Sequence, residues 1–130
     1  MRSKICTAAV LVGLILLLNV PFEAHHSIPV YWDDEKTIEI NGVVKSMKII
    51  NPHSELIITV TGPNGQKDDW IGVSGQASQM IRAGWTNETL KAGAAVKVEG
   101  APPRKKDAKG ILVRKITLPD GRVLTSGRID

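Results

Sequence analysis

The sequence predicts a mainly β fold: a small five-stranded barrel with one short helix between strands 3 and 4, preceded by a signal peptide. Three observations predict it. Apolar residues alternate with polar ones in five stretches that glycine and proline separate. The period changes to that of a helix once, after the third stretch. The opening residues, 1–24, are built unlike everything that follows.

That opening has Arg2 and Lys4, then an apolar run over 5–18, then helix-breaking Pro21 and small Ala24. A charged start, a short apolar stretch and a small-residue exit make a secretory signal. The run is shorter than the roughly 20 residues a bilayer crossing needs, so a signal cleaved after Ala24 is expected. Phe22 stands three places before that cut, where a small residue is preferred, and incomplete processing to a membrane-tethered form is the alternative. Cys6 stands at the start of the apolar run instead of its end and is no lipid-attachment site. Cutting after Ala24 leaves 106 of the 130 residues and removes Arg2, Lys4 and Glu23 from a charge of +4, leaving +3. A charge that mild demands no polyanionic partner. The single cysteine leaves too, so stability must come from an apolar core, which a domain of this size can supply. Residues 25–36 read as an N-terminal segment and residues 37–130 as the barrel.

In the first strand Ile38 and Ile40 alternate with polar neighbours, Gly42 interrupts, and the pattern resumes over 43–50 in shifted phase. A long strand bent by a bulge at the glycine is expected. Asn51-Pro52 stops it, because proline lacks the backbone donor and restricts its predecessor. Leu56, Ile58 and Val60 mark the second strand. Gly62-Pro63-Asn64-Gly65 turns the chain into a third through Trp70, Ile71 and Val73. Ser74 is placed to cap a helix over 76–83, with Ala77, Met80 and Ile81 inward and Gly84 ending it. In the fourth strand, 95–100, Val96 and Val98 point inward, with Lys97 and Glu99 outward. A loop over 101–110, rich in proline and lysine, precedes the fifth strand, 111–118. Pro119-Asp120-Gly121 then turns into a short extension through Val123 and Leu124. Three strands, a helix and two strands is the order of the OB-fold. A bent first strand suits one that serves both halves of a barrel. A β-sandwich is the rival, but it rarely puts a helix after its third strand.

Candidate chemistry centres on His25, His26 and His53. After cleavage His25 would offer its free amine and ring Nδ1 as a chelate, and a second imidazole from His26 or His53 would complete a nitrogen set suited to copper(II). Asp33 and Asp34 are near enough in sequence to serve as oxygen ligands. The other reading leaves the adjacent histidines solvated and gives His53 a role in its turn. No catalytic residue is expected. Gly72-Val73-Ser74 begins like a nucleophile elbow, yet position 76 is Gln where that motif needs glycine. No Cys-His pair survives cleavage, and no glycine-rich phosphate loop is present.

The second candidate is a docking site. Arg104, Lys105, Lys106 and Lys109 cluster in the loop between strands 4 and 5, a usual contact place in OB-like barrels. Trp70 is the one aromatic residue in the central sheet. Trp70, Arg104, Lys105 and Lys106 are therefore the expected partner-binding residues, for a protein, a glycan or another small ligand. Nucleic acid is disfavoured, because strand-borne aromatics are scarce and export removes the chain from most of it. The membrane enters only through an uncleaved signal. A solvated hairpin tip is the alternative. Trp85 is expected to plug one barrel end, and Tyr31 and Trp32 to pin the N-terminal segment to the wall.

The chain also resembles a family of small exported bacterial proteins of unknown function. Ala24-His25-His26-Ser27 matches the family's mature start, Asn51-Pro52-His53 the motif after its first strand, and Gly84-Trp85-Thr86 with Leu90-Lys91-Ala92-Gly93 its step into the fourth strand. Leu118 to Arg122 matches its Leu-Pro-Asp-Gly-Arg close. The likeness spans nearly all of the mature chain. It implies a periplasmic OB-like domain without assigned activity, in which the three histidines belong to the common pattern. Phe22-Glu23-Ala24 departs from the family's usual Ala-x-Ala exit.

Overall fold

The structure, a computed structural model, describes residues 28–127. The expected signal peptide, His25 and His26 lie outside them. A helical turn α1 (Ile28–Tyr31) leads into β1 (Ile38–Lys48), β2 (Glu55–Thr61) and β3 (Lys67–Val73). Helix α2 (Ala77–Arg82) follows, then β4 (Ala95–Ala101), β5 (Gly110–Thr117) and β6 (Val123–Thr125).

The sheet order is β3-β2-β1-β4-β5-β6, and β3 also pairs with β5, so the first five strands close on themselves. The closing pair is parallel, joining residues 71–73 to 110–112. This is the five-stranded barrel the element order predicts, with its helix between strands 3 and 4. The terminal extension forms β6, which lies on β5 outside the ring.

Closure depends on β1. Its first half pairs with β4 and its second half with β2. The predicted bulge is present but sits at Lys45, where the register shifts between Val44 and Ser46, and not at Gly42. Gly42 instead lets β2 pass close by: a Cβ there would lie 2.5 Å from Ile58 Cγ2 and 2.6 Å from the Thr59 carbonyl oxygen. The inward alternation holds on β2 and β4, where Leu56 and Ile58, and Val96 and Val98, are buried. On β5 consecutive Ile111, Leu112 and Val113 are all buried.

The helix differs from expectation at its start. It begins at Ala77, so Ser74 is too early to cap it. The Ala77 N–H is taken by Asn51 Oδ1 at 3.1 Å, and the Gln76 N–H by Gln79 Oε1 at 3.1 Å. Ser74 is buried, its hydroxyl 3.2 Å from Met80 Sδ. With only six residues the helix buries a narrow stripe. Met80 is enclosed, but Ile81, expected inward, is 62% exposed. Gly84, at φ +92°, turns the chain so that Trp85 enters the core. There the indole Nε1–H donates to the Thr125 carbonyl at 2.7 Å, so the expected plug is in place. Among the described residues no helix is long and apolar enough to cross a membrane.

Candidate binding site

Two proline residues open the loop between β4 and β5, and the N-terminal segment is clipped to them. Asp33 N–H donates to the Pro102 carbonyl at 2.9 Å, and Arg104 N–H to the Tyr31 carbonyl at 2.9 Å. Trp32 bridges Pro103 between these bonds. Arg114 secures the segment further, donating to Asp34 Oδ1 at 2.9 Å and Thr37 Oγ1 at 2.6 Å. Tyr31 and Trp32 thus pin the segment as expected, Tyr31 through its backbone and Trp32 also through its half-buried ring, which lies beside Gly110. The Tyr31 side chain itself is exposed.

The far end of the loop folds back on β3. Ile71 N–H donates to the Lys109 carbonyl at 3.1 Å. The Lys109 ammonium lies 3.4 Å from Asp68 Oδ2 and 5.9 Å from the centre of the Trp70 ring. A cation over an indole face is attracted by the ring quadrupole. Between the two fixed ends the chain passes through Asp107, whose φ of +64° is left-handed; aspartate tolerates that conformation better than most residues.

Under this loop lies a surface pocket of about 280 Å³. Half-buried Trp70 and Ile38, both packed against the core, give it an apolar side, joined by Pro102 and Pro103. Lys105, Lys106, Asp107 and Lys109 supply its polar groups. Their charges are not equally compensated. Lys109 has Asp68 and the Trp70 ring, whereas neither Lys105 nor Lys106 has a carboxylate partner among the described residues. The lysines on the strands are used otherwise: Lys45 meets Asp69, Lys97 meets Glu39, and Lys115 meets Glu99. Bonds from Lys45 and then Thr59 hold the Asp69 carboxyl below its ordinary range, and a bond from Lys36 does the same for Asp33.

The structure therefore brings Trp70, Lys105 and Lys106 to one pocket. Arg104 does not line it; its guanidinium faces Asp33 at 3.8 Å on the N-terminal clip. Sequence reasoning missed Ile38, the proline pair and Asp107. The strand and loop patterns carried no sign that these would converge, although an aspartate between lysines is itself a polar signal.

His53 lies elsewhere. It is exposed on a turn with a cis Asn51-Pro52 bond, and the turn is firmly held. Asn51 caps α2, and buried Ser54 donates its N–H to the Gly75 carbonyl and accepts from Ser74 N–H, both at 2.9 Å. Among the described residues no group of three His, Cys, Asp or Glu side chains could hold a metal. Asp33 and Asp34 are engaged by Lys36, Arg104 and Arg114.

The chain belongs to a family of unknown function (DUF6152), whose signature matches residues 14–113. No curated protein matches it.

Proposed function

We propose that this family member is an exported binding module that receives its partner in the pocket beneath the β4–β5 loop. One observation carries the reading: Trp70 and the distant pair Lys105 and Lys106 line one cleft with an apolar side and two cations that have no carboxylate partner among the described residues. Binding sites combine apolar walls with a few placed polar groups. Export rests on residues 1–24 and is tested by reading the N-terminus of the protein recovered outside the cytoplasm. The binding site is tested by amide-shift mapping with a panel of neutral saccharides, acidic saccharides and acidic peptides. Shifts should cluster at Trp70 and residues 102–109 and vanish in a Lys105→Glu/Lys106→Glu variant that melts like the parent. Shifts confined to other faces, or unchanged in that variant, would remove the pocket.

A second reading keeps a metal role for His25, His26 and His53, with copper as the ion that suits nitrogen donors. What favours it is the fixed turn that presents His53 to solvent. A copper(II) titration of the exported protein should give one tight site that weakens in His53→Ala. Equal affinity in that variant would take His53 out of any site.

A further inference from the structure

We infer that the pocket takes an acidic sugar unit, a hydroxyl-rich ring bearing a carboxylate; the inference rests on the pocket being the binding site. Size comes first. A volume of about 280 Å³ is at or below the smallest clefts that hold a drug-sized ligand, roughly 300 Å³. It suits one ring or one side chain, not a stretch of polymer backbone.

Charge comes next. Lys105 and Lys106 are consecutive, exposed and without carboxylate partners among the described residues. Two such cations side by side favour an anion over a neutral ligand, and ammonium–carboxylate bonds are about twice as strong as neutral ones. Asp107 then narrows the class. Asp107 lines the same pocket, and its carboxylate has no cation partner among the described residues. An ionised carboxylate can only accept hydrogen bonds, so exposed Asp107 favours a ligand that offers it a donor beside the anionic group and disfavours one that offers only further carboxylates. A sugar acid has hydroxyl donors next to its carboxylate, whereas a glutamate or aspartate side chain has none.

The apolar side agrees. Pro102, Pro103 and Ile38 present C–H surface of the kind that lies against the C–H face of a pyranose. A nucleobase would look for the open face of Trp70, but the Lys109 ammonium stands over that ring. Stacking a base there would mean displacing a cation that Asp68 also holds.

Calorimetric titration of the exported protein tests this with tri-galacturonate, tri-glucuronate and sialic acid as acidic sugars. Maltotriose, tri-glutamate and oligo-dT serve as comparisons. At least one acidic sugar should bind, with maltotriose and tri-glutamate weaker by about tenfold or more, as expected for loss of a hydrogen bond to a charged group. Lys105→Glu/Lys106→Glu should abolish that binding, and Asp107→Gly, which keeps the left-handed turn, should weaken it by about tenfold, with melting temperatures little changed. Tri-glutamate binding as tightly, with Asp107→Gly silent, would overturn the sugar while leaving the pocket as the site. Oligo-dT binding without any acidic sugar would do the same. Absence of binding by every probe would overturn both the sugar and the pocket.

Discussion

A methyl group added at Gly100 would fall far inside contact distance of the Leu112 carbonyl oxygen. The backbone must therefore shift, and Gly100→Ala should cost about 1–3 kcal/mol, the range for an overpacked core, read as a lower melting temperature. By contrast Gly65 and Gly93 have open space around their Cβ positions, and turn geometry alone requires glycine there. Paired carboxylates carry the acid sensitivity: Asp33, Asp69, Glu88 and Asp120 are all held below their ordinary values. The folded carboxyls of Asp69 and Asp33 titrate below the ordinary value of 3.8, so their contribution is complete above that value. It is lost as pH falls through the lower folded values. Melting temperature should drop as pH falls below about 4, less steeply in Asp69→Asn, and the difference should shrink in high salt because both groups face water. A pH profile unaffected by Asp69→Asn would remove this pair from the account. Asp69 is exposed on β3. A strand pattern could not show Lys45 beside it, because that residue lies at the bulge of another strand.

The helix shows how an element's limits escape a local reading. Ser74 had the right chemistry for a cap, but the cap atom for Ala77 comes from Asn51, 26 residues away. No window of sequence around α2 contains that partner. The same bond gives the Asn51-Pro52-His53 turn a structural purpose: it ends β1 and seats the helix. Asn51→Ala should therefore cost about 0.5–2 kcal/mol, the usual value for a lost cap, measured by denaturant unfolding. Serine at 51 would test whether a shorter side chain still reaches. The strands were more legible because their inward residues recur every second position. That period survives whatever the partner strand is. The bulge was expected from a phase change, but its placement at Lys45 and the close passage of β2 at Gly42 are tertiary facts.

Barrel closure ties the two ends of the account together. The parallel β3–β5 pair begins at Ile71 and Gly110, so Trp70 and Lys109 are set beside the place where the ring closes. The loop that ends at Gly110 begins at Pro102, where the N-terminal segment is clipped. Closure, clip and pocket thus share one region, while Trp85 and β6 occupy the part of the fold around the later residues of β5. The sequence showed the barrel, the basic loop and Trp70 separately. Their convergence needed the closing pair, which alternation alone does not specify. Fluorine NMR of protein labelled with 5-fluorotryptophan follows Trp32, Trp70 and Trp85 at once. During titration with tri-galacturonate, tri-glucuronate or sialic acid, the Trp70 signal should move with at least one of them while buried Trp85 stays fixed. A Trp70 signal that never moves, whichever acidic sugar is added, would contradict the pocket as the site where this protein binds acidic sugars.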